Sequence, residues 1–240
     1  MNGMLYGATC VVPSPSFNGA ACVEAIEQER CTSIYGTPTM FIDMLAAARL
    51  KRPDVSHVET GIMAGASCPQ QLCQDVISEL NMKDFVVCYG MTETSPVTFQ
   101  GFCSDSLSIK TSTIGFPSNH QEVAVMDSDG RIVEAGVEGE LVTRGYSTML
   151  GYWEDKEKTE EVITPDRWLH TGDIAVIDEK GYGKIVGRMK DMIIRGGENI
   201  YPREVEEFLH THPEIMEAQV IDLKSSLCRT KYLFLGIWCF

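Results

Sequence analysis

The first hundred residues alternate short apolar runs with helical patterns, and this alternation restricts the possible folds more than any other feature. The runs at 31–36, 59–64 and 85–88 predict β-strands, and the last of them is apolar throughout, as strands inside a parallel sheet are. Helices are predicted at 17–30, after Thr37-Pro38 and from Pro69. Because strands joined by helical crossovers pair in parallel, the sequence predicts an α/β layer with a parallel sheet.

The pattern of apolar residues changes after about residue 110. Four strands are predicted, at 122–126, 139–143, 174–177 and 184–186. Polar, glycine-containing turns at 127–130 and 178–181 follow the first and third of these strands. We therefore expect a small antiparallel or barrel-like subdomain, so that residues 1–187 form part of one large domain.

A further unit is predicted to begin at Arg188. It contains a strand at 192–195, a Gly-Gly loop, a helix from Pro202 to about His210 and a strand at 218–221. One helix and two strands are too little for an independent domain. The last nine residues are almost all apolar, and the sequence shows no partner element for them. We expect the start of a small α+β domain over 188–224 that is cut short, and a divergent tail over 225–240.

Composition argues against several classes of protein. The net charge of −14 argues against a nucleic-acid partner, because phosphate backbones are bound by basic surfaces. Nine cysteines without a C-x-x-C pair indicate neither a zinc site nor a disulfide framework, and favour a reducing compartment. No run approaches the roughly 18 apolar residues of a membrane span, and the first residues lack the basic segment of a signal peptide.

The segment YGMTET at 89–94 directly follows the apolar strand at 85–88. Ligands of open α/β sheets bind at the carboxyl ends of the strands. Here Tyr89 offers a flat aromatic face, Thr92 a hydroxyl for a phosphate oxygen, and Glu93 a carboxylate suited to Mg²⁺. On chemistry alone, an ordinary turn between a strand and a helix explains the segment equally well.

Five segments together resemble the motifs of the adenylate-forming superfamily, which includes acyl-CoA synthetases, luciferases and the adenylation domains of nonribosomal peptide synthetases. They occur in the family's order over nearly all of residues 1–222. The segments are GASCP at 65–69, YGMTET at 89–94, GELVTRGYSTMLGYW at 139–153, WLHTGD at 168–173 and GRMKDMIIRGGENIYPREVE at 187–206. Within the superfamily, the sequence most resembles mitochondrial medium-chain acyl-CoA synthetases.

The resemblance implies a nucleotide site for ATP and AMP. Tyr89 would stack on the adenine, Asp173 would accept both ribose hydroxyls, and Arg188 would reach the ribose or phosphate. Glu93 would hold Mg²⁺. The other residues implied in nucleotide binding are Gly65, Ala66 and Ser67 on the far side of the adenine, and Gly90, Met91 and Thr92 in the loop after the strand. His170, beside the ribose motif, is interpreted as a structural histidine.

The resemblance also implies a mobile small domain. Lys190 occupies the family's hinge position, where backbone rotation would swing the small domain between an adenylation pose and a thioester-forming pose. Gly196, Gly197 and Glu198 would line the CoA channel in the second pose.

The activity that the resemblance implies is that of an AMP-forming acyl-CoA ligase, an acid–thiol ligase. Such an enzyme forms acyl-CoA from a fatty acid, ATP and CoA through an acyl-adenylate, with Mg²⁺ as a cofactor. A medium-chain fatty acid and the mitochondrial matrix are implied in the same way, although no targeting segment is visible in the chain. Nothing indicates the oligomeric state.

Two elements of the family pattern are not found in these 240 residues. One is the Ser/Thr/Gly-rich phosphate loop that ends in Pro-Lys-Gly, and the other is the catalytic lysine late in the small domain. Because phosphoryl-type transfer depends on positioning and on stabilising charge around the phosphates, we expect this chain alone to have little or no ligase activity. A non-catalytic nucleotide-binding fragment and an unstable truncated isoform remain as alternatives.

Overall fold

The computed structural model describes residues 5–195, 198–212, 215, 218–223 and 232–237. The chain divides into two compact units. The first comprises residues 1–87 and 102–111, and the second comprises residues 88–101 and 112–240. No helix in the described part of the chain is long and apolar enough to cross a membrane.

The first unit is built on parallel strands. Strand β1 (Ser33–Gly36) pairs with β2 (Thr60–Met63), and β2 pairs with β3 (Asp84–Tyr89), whose last two residues belong to the second unit. The helices are α1 (Gly19–Gln28), α2 (Pro38–Lys51), α3 (Gln70–Glu79) and α4 (Leu107–Ser112). The predicted α/β layer with a parallel sheet is confirmed.

Capping residues explain where the first two helices begin. Asn18 Oδ1 accepts a hydrogen bond from the backbone N–H of Ala21 at 2.9 Å, at the start of α1. Thr37 caps α2 in the same way, with Pro38 at the first helical position, where a missing N–H costs nothing. The start of α2 predicted from Thr37-Pro38 is therefore confirmed.

One apolar core holds the first unit together. Phe41 from α2, Met63 from β2 and Phe85 from β3 are completely buried in it. Gly61 in β2 allows the close packing, because a Cβ at this position would lie 1.8 Å from Met82 Cε and 2.5 Å from the Ile34 carbonyl oxygen.

The second unit is mainly antiparallel. The end of β3 pairs with the two-residue strand β4 (Phe99–Gln100), which pairs with β5 (Phe116–Pro117). Four longer strands follow in the order β6-β7-β8-β9. They are β6 (Gln121–Met126), β7 (Gly139–Gly145), β8 (Leu169–Ile177) and β9 (Gly183–Arg188), with helix α5 (Lys156–Val162) between β7 and β8.

The antiparallel subdomain is an open sheet and not a closed barrel. Each of its four strands pairs with its neighbour in the chain, and among the described residues β6 and β9 do not pair with each other. On one face of this sheet, Leu141 of β7 and Ile185 of β9 pack in a buried cluster with Phe99 of β4. Four strands are too few to close with a filled interior, which explains why the barrel-like alternative was wrong.

The last part of the second unit contains two antiparallel strand pairs and a helix. A 3-10 turn (Met189–Asp191) leads to β10 (Ile193–Arg195) and β11 (Glu198–Ile200), and α6 (Pro202–Leu209) follows. Strand β12 (Ala218–Leu223) pairs with β13 (Tyr232–Ile237).

The apolar tail therefore has a partner, contrary to the expectation from the sequence. Its residues 232–237 form β13, which pairs along its whole length with β12, from Ala218 opposite Ile237 to Leu223 opposite Tyr232. The run is apolar and short, as many strands are, and this register pairs its backbone groups on the side that faces β12.

Candidate functional site

The loop after β3 is shaped by one glycine and one buried threonine. A Cβ on Gly90 would lie 1.9 Å from the Pro96 carbonyl oxygen, so that only glycine fits there. The buried Thr94 hydroxyl accepts a hydrogen bond from the Met91 N–H at 3.1 Å and donates one to the Met91 carbonyl at 3.0 Å. These contacts fix the 3-10 turn Thr92–Thr94 and leave Thr92 exposed.

Tyr89, at the end of β3, is joined to a carboxylate on β8. Its hydroxyl donates a hydrogen bond of 2.7 Å to Asp173 Oδ2, and its ring packs edge-on against Phe99. Burial, followed by the Asp173 charge, raises the pKa of the Tyr89 hydroxyl far above its ordinary value, so that it remains a proton donor. Arg188 Nε, opposite Asp173 in the β8–β9 pair, lies 3.2 Å from Asp173 Oδ1.

The resulting network brings together three of the residues proposed from the motifs. Asp173 is only 7% exposed, yet each of its oxygens carries one protein contact and retains further acceptor capacity. The Arg188 side chain is mostly exposed beside it. The arrangement is a buried, oriented carboxylate flanked by a tyrosine hydroxyl and a cation.

Glu140 on β7 holds the turn that precedes Asp173. Its Oε1 accepts from the Gly172 N–H at 3.0 Å, and its Oε2 lies 2.7 Å from His170 Nδ1. Because an ionised carboxylate only accepts, the proton of that pair belongs on Nδ1. Gly172 has φ +71°, a conformation that favours glycine. Sequence reasoning did not single out Glu140, although it lies within the segment at 139–153.

The Glu93 side chain has a partner that sequence reasoning also missed. Tyr152, just before α5, donates from its hydroxyl to Glu93 Oε1 at 2.9 Å. The Met149 N–H donates to the Glu93 backbone carbonyl at 2.8 Å. Met149 and Tyr152 both lie in the motif segment at 139–153, but the sequence gives no signal that this segment contacts Glu93.

Gly65, Ala66 and Ser67 lie in the first unit, one residue after the carboxyl end of β2. All three are exposed, and Gly65 has φ +89°. A backbone turn of this kind can approach a ligand closely.

The residues expected at the hinge and the CoA channel lie after β9. Lys190 is exposed within the 3-10 turn, a short element that is typical of connectors. Gly196 and Gly197 lie outside the described residues. Glu198 begins β11, paired with Arg195.

Comparison with known proteins identifies the family. The model of the family described as "AMP-binding enzyme" matches residues 1–153. The chain belongs to this family. Among curated proteins, the AMP-binding enzymes most similar to it include "Medium-chain acyl-CoA ligase ACSF2, mitochondrial" from Danio rerio, which is 53% identical over 221 residues. The Homo sapiens protein of the same name is 48% identical over 222 residues. Each match covers 92% of this chain and 36% of the relative.

Solved structures of adenylate-forming enzymes share the fold. The anthranilate CoA ligase AuaEII, in complex with anthranoyl-AMP, superposes with a TM-score of 0.86 at 27% identity over 96% of this chain and 44% of that one. The chain spans little more than a third of the length of these curated relatives.

Proposed function

We propose that this chain carries the adenine-, ribose- and Mg²⁺-binding part of an AMP-forming acyl-CoA ligase. The observation that carries the proposal is the contact of Tyr89 and Arg188 with the two oxygens of Asp173, in a chain whose relatives are named acyl-CoA ligases. The name of the AuaEII complex, a CoA ligase with an acyl-adenylate, supports the same reaction class.

Each side chain has a role in nucleotide binding that its chemistry supports. The Tyr89 ring stacks on the adenine. Asp173 accepts from the ribose hydroxyls, and Arg188 supplies a cation for the ribose or the α-phosphate. Gly90 and Met91 set the loop so that the exposed Thr92 hydroxyl meets the α-phosphate.

Glu93 is the residue that would hold Mg²⁺. Its Oε2 accepts no hydrogen bond from a described residue, while Oε1 is held by Tyr152. Protein Mg²⁺ sites commonly use one or two carboxylates together with waters and phosphate oxygens, so a single glutamate fits. When bound, the ion would neutralise charge on the phosphates.

The proposed reaction has two steps. The carboxylate of the acid attacks the α-phosphorus of ATP and pyrophosphate leaves; the CoA thiolate then attacks the acyl carbonyl and AMP leaves. Between the steps, the backbone would rotate at Lys190, and Gly196, Gly197 and Glu198 would then line the CoA channel. In this proposal, the large domain covers residues 1–187, the start of the small domain covers 188–224, and the tail covers 225–240.

The names of the relatives support a proposal for the substrate and the location. Both ACSF2 proteins are named medium-chain and mitochondrial, so we propose a medium-chain fatty acid as the acid and the mitochondrion as the compartment. ATP, CoA and the fatty acid are the small-molecule partners.

The 240 residues alone bind the nucleotide without completing the reaction, in this proposal. They contain no loop ending in Pro-Lys-Gly, and loss of even one well-placed electrostatic group costs about 10²–10³-fold in rate. We therefore favour nucleotide binding without ligase turnover for the isolated polypeptide.

Thermal unfolding of the purified chain, with and without AMP, tests the proposal. Ligand at about 100 times its dissociation constant adds about 2.7 kcal/mol to a native state that binds it, so the midpoint should rise. The rise should be largely lost in Asp173→Asn and kept in Asp129→Asn, an exposed aspartate outside the network. A cooperative transition whose midpoint does not change with AMP would contradict the nucleotide site. Pyrophosphate release that depends on ATP and the acid would contradict the proposed lack of ligase turnover.

A further inference from the structure

Two contacts from one loop fix Glu93 at both its backbone and its carboxylate. The Met149 N–H binds the Glu93 carbonyl oxygen at 2.8 Å, and the Tyr152 hydroxyl binds Glu93 Oε1 at 2.9 Å. Glu93 and Tyr152 are 59 residues apart in the chain. The proposed function assigns Glu93 to Mg²⁺ but gives Tyr152 no role.

Tyr152 is itself held by α5. Its backbone N–H donates to Thr159 Oγ1 at 2.9 Å, and that hydroxyl donates to the Asp155 carbonyl at 2.7 Å. Asp155 also caps the helix, since its side chain accepts from the Lys158 N–H at 2.9 Å. The position of the Tyr152 ring is thus tied to the first turn of a capped helix.

Gly151 permits this close attachment. A Cβ at this position would lie 2.8 Å from Thr159 Cγ2 and 2.9 Å from Thr159 Oγ1, closer than side chains normally approach. The chain therefore lies directly on α5 just before Tyr152.

The hydroxyl of Tyr152 engages one Glu93 oxygen and leaves the other available. A glutamate has three rotatable bonds, and an unheld carboxylate has to lose that freedom when it binds a cation. The Tyr152 hydroxyl is the donor in this contact, because the oxygens of an ionised carboxylate only accept.

We infer that Tyr152 is a positioning residue, which orients the Glu93 carboxylate toward the Mg²⁺ of a bound Mg·ATP. This inference rests on the proposed function. The hydroxyl touches neither substrate nor metal, and acts only through Glu93. Partners that orient a metal-binding carboxylate typically contribute 10–100-fold to metal affinity.

The test compares ATP affinity in Mg²⁺ with ATP affinity in EDTA, by isothermal titration calorimetry on the full 240-residue chain. The variants are Tyr152→Phe, which removes only the hydroxyl, and Tyr146→Phe as the matched control. Tyr146 lies in the same loop, is 77% exposed, and its hydroxyl makes no hydrogen bond with a described residue. AMP affinity in EDTA and the unfolding midpoint without ligand serve as measures of the intact nucleotide site and fold.

We expect Mg²⁺ to increase the ATP affinity of the wild-type chain and of Tyr146→Phe. In Tyr152→Phe, the increase in ATP affinity caused by Mg²⁺ should be about 10-fold smaller. AMP affinity in EDTA and the midpoint should be unchanged in Tyr152→Phe, which separates positioning from a structural role. A full Mg²⁺ effect in Tyr152→Phe overturns the inference while the proposed function stands. A wild-type chain that binds ATP equally with and without Mg²⁺ also overturns it, and one that binds neither ATP nor AMP overturns both.

Discussion

The first unit and the candidate site of the second unit are held together by different kinds of contact. In the first unit, the side chains that meet are apolar residues from successive strands and helices, such as Phe41 and Phe85. In the second unit, the site joins polar side chains from distant segments, with Tyr89 and Asp173 separated by 84 residues. The comparison teaches that periodicity encodes the scaffold, whereas the site depends on a few long-range hydrogen bonds.

The largest effect expected from this comparison is the loss of an aromatic ring from the first unit's core. Phe41→Ala should lower the free energy of unfolding by about 3–5 kcal/mol, because it removes a completely buried side chain and leaves a cavity. Urea denaturation followed by circular dichroism measures this change. Leu50→Ala is the matched control in the same helix; its side chain is 87% exposed, so its effect should stay within about 0.5 kcal/mol. Equal effects of the two changes would contradict the assigned core.

The scaffold could be predicted from the sequence where local signals and burial agree. Thr37-Pro38 marks the start of α2, and the apolar run at 85–88 lies within β3 (Asp84–Tyr89). Helix α5 gave no such signal because none of its residues is buried, so it lacks an apolar stripe. Strands β4 and β5 have only two residues each, too few for a period to be recognised.

The site could be predicted only in part. The motif residues Tyr89, Glu93 and Asp173 stand out by their chemistry and by their resemblance to a family. Their partners Glu140 and Tyr152 do not, since a lone glutamate or tyrosine in a strand or loop has many uses. Only the folded chain shows that Glu140 holds the turn before Asp173 and that Tyr152 holds Glu93.

A smaller effect, confined to the second unit, is expected when Glu140 loses its charge. Glu140→Gln weakens the contacts with the Gly172 N–H and with His170, which orient the turn before Asp173. We expect stability to fall by about 1–2 kcal/mol and AMP affinity to fall several-fold. Calorimetric titration with AMP and urea denaturation provide the two values.

The control for the Glu140 variant is Glu134→Gln. Glu134 is exposed in the same unit, so this change removes the same charge without touching the turn. If both variants bind AMP as the wild-type chain does, the turn does not depend on Glu140, and the contrast between a packed scaffold and a hydrogen-bonded site is weakened.

The smallest effect concerns a polar contact of the first unit, which sharpens the comparison because it lies on the surface. Arg49 on α2 makes two hydrogen bonds to Glu79 on α3, of 2.8 and 2.6 Å, and a third to Asp75. The Arg49 side chain is half exposed, so a double-mutant cycle of Arg49→Met with Glu79→Gln should give no more than about 1 kcal/mol. A cycle on the longer, more exposed pair of Arg30 and Asp54 should give about zero.

The pH dependence of this pair has a defined sign. The hydrogen bond from Arg49 lowers the pKa of Glu79 below its ordinary value, so the unfolded chain takes up the proton at higher pH than the folded chain does. The stabilisation should therefore be fully present above about pH 4.3, the usual pKa of a glutamate, and should disappear as the pH falls through the lower folded value. Repeating the cycle between pH 7 and pH 3 measures this. A coupling energy that stays constant down to pH 3 would show that the contact between α2 and α3 at this position does not depend on the Glu79 charge. It would then stabilise the first unit as its apolar core does, by packing of the arginine stem.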